Sequence, residues 1–226
     1  MLGKTPMEPA EKVEVDSPTI ACDGGAGGSL NTGGRPLTLS AFPAPLDTCR
    51  LILKPVDRAL ARALIGDRRQ AGELAGGLLH RDFPDADLAA KLPAFAQRLD
   101  DAANPALGAT APPDTGGWGL WLFVYKTERL VVGAASFSGA PGADGAVELG
   151  YQVVPAHRRR GLTVEGCTAL IDWAFTDSRA QRIVADCTAD NAASVRTLDK
   201  LGFKVIHARG DRLDWQLART EWPPRG

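Results

Sequence analysis

Three consecutive arginines, Arg158, Arg159 and Arg160, precede Gly161, and Glu148 stands ten residues before the first of them. Clustered guanidinium groups beside a glycine suit an anion, because the side chains bring charge and the glycine lets backbone come close. A carboxylate such as Glu148 can accept a proton. The stretch that joins them, "ELGYQVVPAHRRRGLTVEG" from Glu148 to Gly166, starts as a strand, breaks at Pro155 and restarts as a helix near Leu162. The first-turn amides of such a helix have no intrahelical partner and point outward, which makes the loop a candidate phosphate cradle. The plainer alternatives are a solvated turn for the arginines and a solvent-facing strand residue for Glu148.

The other chemistry-bearing residues are dispersed. His80, His157 and His207 lie far apart, with no carboxylate or cysteine spacing that suggests a metal site, and no metal is expected. His157 reads as solvent-facing. Cys22, Cys49, Cys167 and Cys187 form neither a C-x-x-C pair nor a disulfide framework, so reduced thiols are expected. Asp82, Asp85 and Asp87 form an acidic cluster between the early helices, and helix capping explains at least one of them. Trp118, Trp121, Phe123 and Tyr125 read as core.

The elements that must position these residues follow from period and punctuation. Residues 1–45 are broken repeatedly by glycine and proline and read as a flexible leader; a compact domain is expected over residues 46–220. "RLILKPV" is a short strand, and "DRALARALIGD" a helix with Asp57 at its cap. "DADLAAKLPAFAQRLDDA" is a second helical piece, followed by an irregular connection, "NPALGATAPPDTGG". "WGLWLFVY" and "LVVGAASFSG" flank the turn "KTER" as an antiparallel hairpin, and "AVELGYQVV" is the next strand. A helix over Leu162 to Asp177, the strand "RIVADCT", the helix "NAASVRTLDKL" closed by Gly202, and the strands "FKVIHA" and "RLDWQLAR" complete the chain. This order predicts an α/β layer with a mixed sheet and a short parallel part.

Taken together, the loop and its neighbours resemble the GNAT superfamily of acetyl-CoA-dependent N-acetyltransferases, within it the ribosomal-protein N-acetyltransferase branch. "LDTCRLILKPV" is similar to that branch's opening strand, "ELGYQVVP" to its central strand and "DNAASVRTLDKLGF" to its coenzyme-side helix. Arg158, Gly161 and Thr163 fall on the family's loop pattern, and the likeness spans Leu46 to Arg219. The resemblance implies a mostly antiparallel central sheet flanked by helices and splayed between the fourth and fifth strands. It implies that main-chain groups of Gln152, Val153 and Val154 pair with the pantetheine arm as an added strand. Amides of Arg159, Arg160, Gly161, Leu162 and Thr163 would hold the pyrophosphate, with Arg158 beside them, and Asn191 would bond the arm unless it is simply an N-cap. By the same resemblance Glu148 is the general base and a main-chain amide near Val153 meets the oxyanion. Ser194 hydrogen-bonds or protonates the departing sulfur, its alternative being an ordinary surface serine. The chain departs from the family twice: Thr163 stands where glycine or alanine is usual, and Leu198 where many relatives carry a tyrosine as general acid.

The implied activity is transfer of an acetyl group from acetyl-CoA to an amine, by direct attack in a ternary complex. The acceptor is a protein N-terminus or a small-molecule amine. The alternative is a non-catalytic acyl-CoA-binding or regulatory module, which Leu198 and Thr163 motivate. Composition bounds these readings. A chain of 226 residues with 44% apolar content supports one good core, and a net charge of −1 argues against nucleic acid or an anionic membrane as partner. No apolar run approaches the roughly 20 residues of a membrane span. The expectation is a cytoplasmic enzyme whose last strands leave an edge on which a dimer can form.

Overall fold

A computed structural model describes residues 42–102 and 117–223; most of the leader, residues 1–41, and nearly all of the connection, residues 103–116, lie outside the described residues. The chain order is β1 (Leu46–Asp47), β2 (Leu51–Pro55), α1 (Arg58–Gly66), α2 (Arg68–Ala75), β3 (Leu78–Leu79), α3 (Ala86–Ala102), β4 (Leu120–Tyr125), β5 (Leu130–Phe137) and β6 (Ala146–Val153). Then come α4 (Leu162–Ala174), β7 (Arg182–Thr188), α5 (Ala192–Lys200), β8 (Lys204–Arg209) and β9 (Arg212–Ala218). Asp57 caps α1 by accepting from the Leu60 amide at 2.8 Å, as its position predicts. Asp67 repeats the device for α2 through Gln70, and so breaks the early helical region into two pieces that periodicity alone does not separate. Asp85 caps α3 through Leu88 at 2.9 Å. The helix predicted to reach Asp177 ends at Ala174, where Phe175 takes over as its cap.

The strands lie in the order β1-β2-β4-β5-β6-β7-β9-β8, with β3 beside β5. All neighbours are antiparallel except β3 with β5 and β6 with β7, so the sheet is mixed and mostly antiparallel. Side chains alternate between its faces. Trp121 and Phe123 turn toward α4: the Trp121 ring lies 5.3 Å from that of Trp173, and a side chain at Gly166 would meet the Phe123 ring at 2.5 Å. Only glycine permits that approach, so Gly166 sets how closely α4 lies on the sheet. Leu120 faces the other way, toward α3. Leu51, Leu53, Trp121, Phe123, Leu170 and Ile171 are fully buried and form the heart of the core between α4 and the sheet.

One irregularity shapes the site. β6 pairs with β7 only through Ala146, Val147 and Glu148, whereas it pairs with β5 through Leu149 to Val153. Beyond Glu148 the two strands part. This is the split expected between the fourth and fifth predicted strands, since the short β1 and β3 raise the count by two.

Candidate active site

The antiparallel register between β5 and β6 decides which main-chain groups face the split. Val154 donates to the Val132 carbonyl at 2.8 Å, and Ser138 donates to the Glu148 carbonyl at 3.1 Å. Hydrogen-bonded and non-bonded pairs alternate, so the even-numbered residues Glu148, Gly150, Gln152 and Val154 turn their main chain to β5. Leu149, Tyr151 and Val153 turn theirs the other way, where the Leu149 amide closes the last pair with β7 and Tyr151 and Val153 face the split. Of the three residues expected to offer backbone to a ligand there, Val153 has that orientation, while Val154 spends its N–H on β5. Tyr151, one position from the expected stretch, joins Val153.

The chain then leaves β6 through a 3-10 turn, Pro155–His157. His157, read from sequence as solvent-facing, is 5% exposed. The turn tucks its ring back against the β4–β5 turn, where Nε2 lies 3.1 Å from the Glu128 carboxylate and the rings of His80 and Tyr125 approach at 5.5 and 5.8 Å. The two histidines far apart in sequence are thus neighbours. No group of three or more His, Cys, Asp or Glu side chains among the described residues is arranged to hold a metal ion.

After the turn, Arg159 takes φ 60° and Gly161 φ 74°, left-handed conformations that swing the chain into α4. Gly161 is the N-cap and supplies no side-chain acceptor, and the first intrahelical bond runs from Glu165 to the Gly161 carbonyl at 3.0 Å. The amides of Leu162 and Thr163 therefore precede the ladder uncapped. A side-chain cap there would stabilise the helix by about 1 kcal/mol, and in its absence these amides are of the kind that bind anions at helix N-termini. Arg158, Arg159 and Arg160 are exposed around this terminus. Arg158 Nε also donates to the Val153 carbonyl at 2.9 Å, bracing the loop against the strand it left.

A residue that sequence reasoning passed over holds the loop. Arg50 Nη1 donates to the Arg160 carbonyl at 2.7 Å, and its Nε pairs with Glu165 at 2.7 Å. Glu165, in the first turn of α4, also accepts from the Arg50 amide and the Thr48 hydroxyl, each at 2.6 Å. Burial pushes the Glu165 carboxyl up, but these three donors outweigh it and hold the group below its ordinary range. The uncapped terminus is thereby fixed from behind by a chain segment more than a hundred residues upstream.

Across the split, Asn191 is the N-cap of α5, its Oδ1 accepting from the Ser194 amide at 3.1 Å, which leaves its side-chain amide nitrogen free to donate. Leu198 is buried in the core. Tyr151 extends from β6 to the first turn of α5, where its hydroxyl donates to the Ser194 carbonyl at 3.4 Å. Burial raises its pKa. Sequence reading missed Tyr151, although its place between Leu149 and Val153 on the inward face of an alternating strand demanded a partner for a buried phenol.

Glu148 faces the opposite side of the sheet. It lines a groove of about 560 Å³ between α3 and strands β5 and β6, whose walls include Phe95, Phe137, Lys91 and Arg98. A second hollow of about 230 Å³ adjoins it beneath the start of α3, lined by Asp85, Asp87, Tyr151 and Gln152. With its nitrogen turned to the acceptor, the Gln152 amide donates to Asp85 at 2.8 Å. The sheet at its split therefore separates an uncapped helix terminus ringed by arginines from a carboxylate-bearing groove on its other face.

Comparison with known proteins bears on this geometry. A family model described as an acetyltransferase (GNAT) domain matches residues 50–204. The chain is 32% identical over 170 residues to the uncharacterized N-acetyltransferase YjdG of Bacillus subtilis (strain 168), which covers 75% of this chain and 95% of that protein. A ribosomal-protein-S5-alanine acetyltransferase from Vibrio fischeri superposes with a TM-score of 0.53 at 19% identity, over 80% of this chain and 100% of the other. RimJ of Mycobacterium smegmatis, solved with a CoA-disulfide, superposes with a TM-score of 0.50 at 19% identity, over 80% and 88%. At such identities the structural likeness speaks for the fold.

Proposed function

Because the chain belongs to the GNAT acetyltransferase family and is an acetyltransferase, we propose that it moves an acetyl group from acetyl-CoA to an amine by direct attack within a ternary complex. The observation that carries this reading is the parting of β6 and β7 beyond their last pair at Glu148, which leaves the main chain of Tyr151 and Val153 without a neighbouring strand. An extended pantetheine arm satisfies such groups as a strand would. Its length leads from there to the uncapped terminus of α4, where the amides of Arg159, Arg160, Gly161, Leu162 and Thr163 and the guanidinium of Arg158 take the pyrophosphate. Asn191 donates to the arm from α5. RimJ, with its bound CoA-disulfide, is a precedent for coenzyme on this fold.

The amine approaches from the groove under α3, where Glu148 accepts its proton, directly or through a water. Attack on the thioester carbon builds an oxyanion that a split-facing amide, that of Tyr151 or Val153, meets. Ser194 donates a hydrogen bond toward the sulfur. Thr163 narrows the cradle, but its hydroxyl can donate to a phosphate oxygen.

Calorimetric titration with acetyl-CoA, on the wild type and on Gly161→Trp, tests the reading when followed by a thiol-release assay over amines and N-terminal peptides. Binding abolished by the substitution, together with acceptor-dependent thiol release, is the expected result. Tight binding without release on any acceptor would favour the non-catalytic module.

A further inference from the structure

We propose that Tyr151 is the catalytic acid that protonates the departing thiolate, an assignment that rests on the transferase reading above. The geometry brings three facts together. The main chain of Tyr151 opens onto the split, so the thioester of an arm laid along β6 lies against this residue. Its side chain crosses from β6 to α5, with its hydroxyl at the Ser194 carbonyl, and so spans the space through which the sulfur must leave. The bond it makes there is long, at 3.4 Å, and its acceptor is neutral, so a developing thiolate displaces that carbonyl as the acceptor of the hydroxyl's hydrogen bond.

The alternatives on α5 are weaker. Leu198 is buried and carries no proton. The Ser194 hydroxyl is an aliphatic alcohol, a far poorer acid than a phenol, and its contribution is a hydrogen bond. Burial pushes the Tyr151 phenol up, which makes it a weaker acid than a solvated phenol, so it acts first by hydrogen-bonding the charge that develops on sulfur, with proton transfer completing as the C–S bond breaks.

The step balances. The amine lone pair forms the C–N bond, and the nitrogen gives its proton to Glu148. The oxyanion collapses, the C–S bond breaks with its electron pair on sulfur, and the phenolic proton converts the thiolate to thiol. Glu148 loses its proton to solvent and the phenolate regains one, leaving an amide, free coenzyme thiol and the enzyme as it began.

The test compares wild type, Tyr151→Phe, Ser194→Ala and a protein with 3-fluorotyrosine at position 151, using the best acceptor of the wild type. Tyr151→Phe is expected to keep the calorimetric Kd for acetyl-CoA and to lose roughly a hundredfold in kcat. The fluorinated residue, equal in shape but more acidic, should keep kcat near wild type and shift the alkaline side of the pH profile downward. An active wild type with an undiminished Tyr151→Phe variant would overturn the assignment alone. So would a loss confined to Kd and KM, which marks a packing role, or a larger loss in kcat from Ser194→Ala than from Tyr151→Phe. A wild type that binds acetyl-CoA and releases no thiol with any acceptor overturns the transferase reading, and this assignment with it.

Discussion

The carboxylate of Glu148 is exposed, makes no ion pair among the described residues, and faces a groove lined by Phe95, Lys91 and Arg98 of α3. An amine drawn into that groove arrives protonated at neutral pH, and its attack requires loss of that proton first. Glu148→Gln keeps the shape and removes the base. The variant is expected to lose roughly a hundredfold in kcat/KM at neutral pH. It should recover progressively as rising pH supplies free amine, while the wild-type profile flattens earlier. A parallel loss at all pH values would assign Glu148 to binding alone.

At the scale of elements, the arginine loop is a device in two parts: an uncapped helix terminus, and a clamp that holds it. Arg50→Ala removes the grip on the Arg160 carbonyl and the partner of Glu165, with a stability loss of about 2 kcal/mol expected by chemical denaturation. Because the terminus is then free to fray, the Kd for acetyl-CoA should rise at least tenfold, and Arg50→Lys should restore only part of it, lacking the planar fork. The clamp also has a pH range. Glu165 has a folded-state pKa below its ordinary 4.5, so its stabilisation is complete above that pH and is lost as pH falls through the depressed value. A Tm profile that loses this acid-side fall in Glu165→Gln is the check. The loop itself was legible in the sequence because its residue types are local and unusual: a proline, three arginines and a glycine can be read in one glance. Arg50 was not, since its partners lie 110 and 115 positions away and nothing near it in sequence marks it. His157 was misread for the same reason: the Glu128 carboxylate and the His80 and Tyr125 rings that draw it inward belong to other elements. Tyr151 escaped because one strand residue among hydrophobic neighbours looks like core until the neighbouring strand is known to leave.

For the whole molecule, hydrophobic alternation and turn residues were enough to predict the strand order along the chain and the mixed character of the sheet. They could not reveal β1 and β3, each two residues long, nor where β6 exchanges one neighbour for another, because pairing depends on strands far apart in sequence. The sheet is thus joined across its middle by three residue pairs, with an interior strand that is bare along half its length. Bare strand is adhesive, for main-chain groups that lack a neighbouring strand, such as those of Tyr151, will accept an extended chain that fits. Without coenzyme, concentrated protein is expected to self-associate through this seam, and saturating acetyl-CoA should suppress the association, as light scattering at matched concentrations would report. Equal scattering with and without coenzyme would locate any stickiness elsewhere, for example on β8, whose residues are all exposed. If coenzyme fills this seam as proposed, colloidal behaviour is expected to depend on metabolic supply: a well-fed enzyme would stay dispersed, and a starved one would clump.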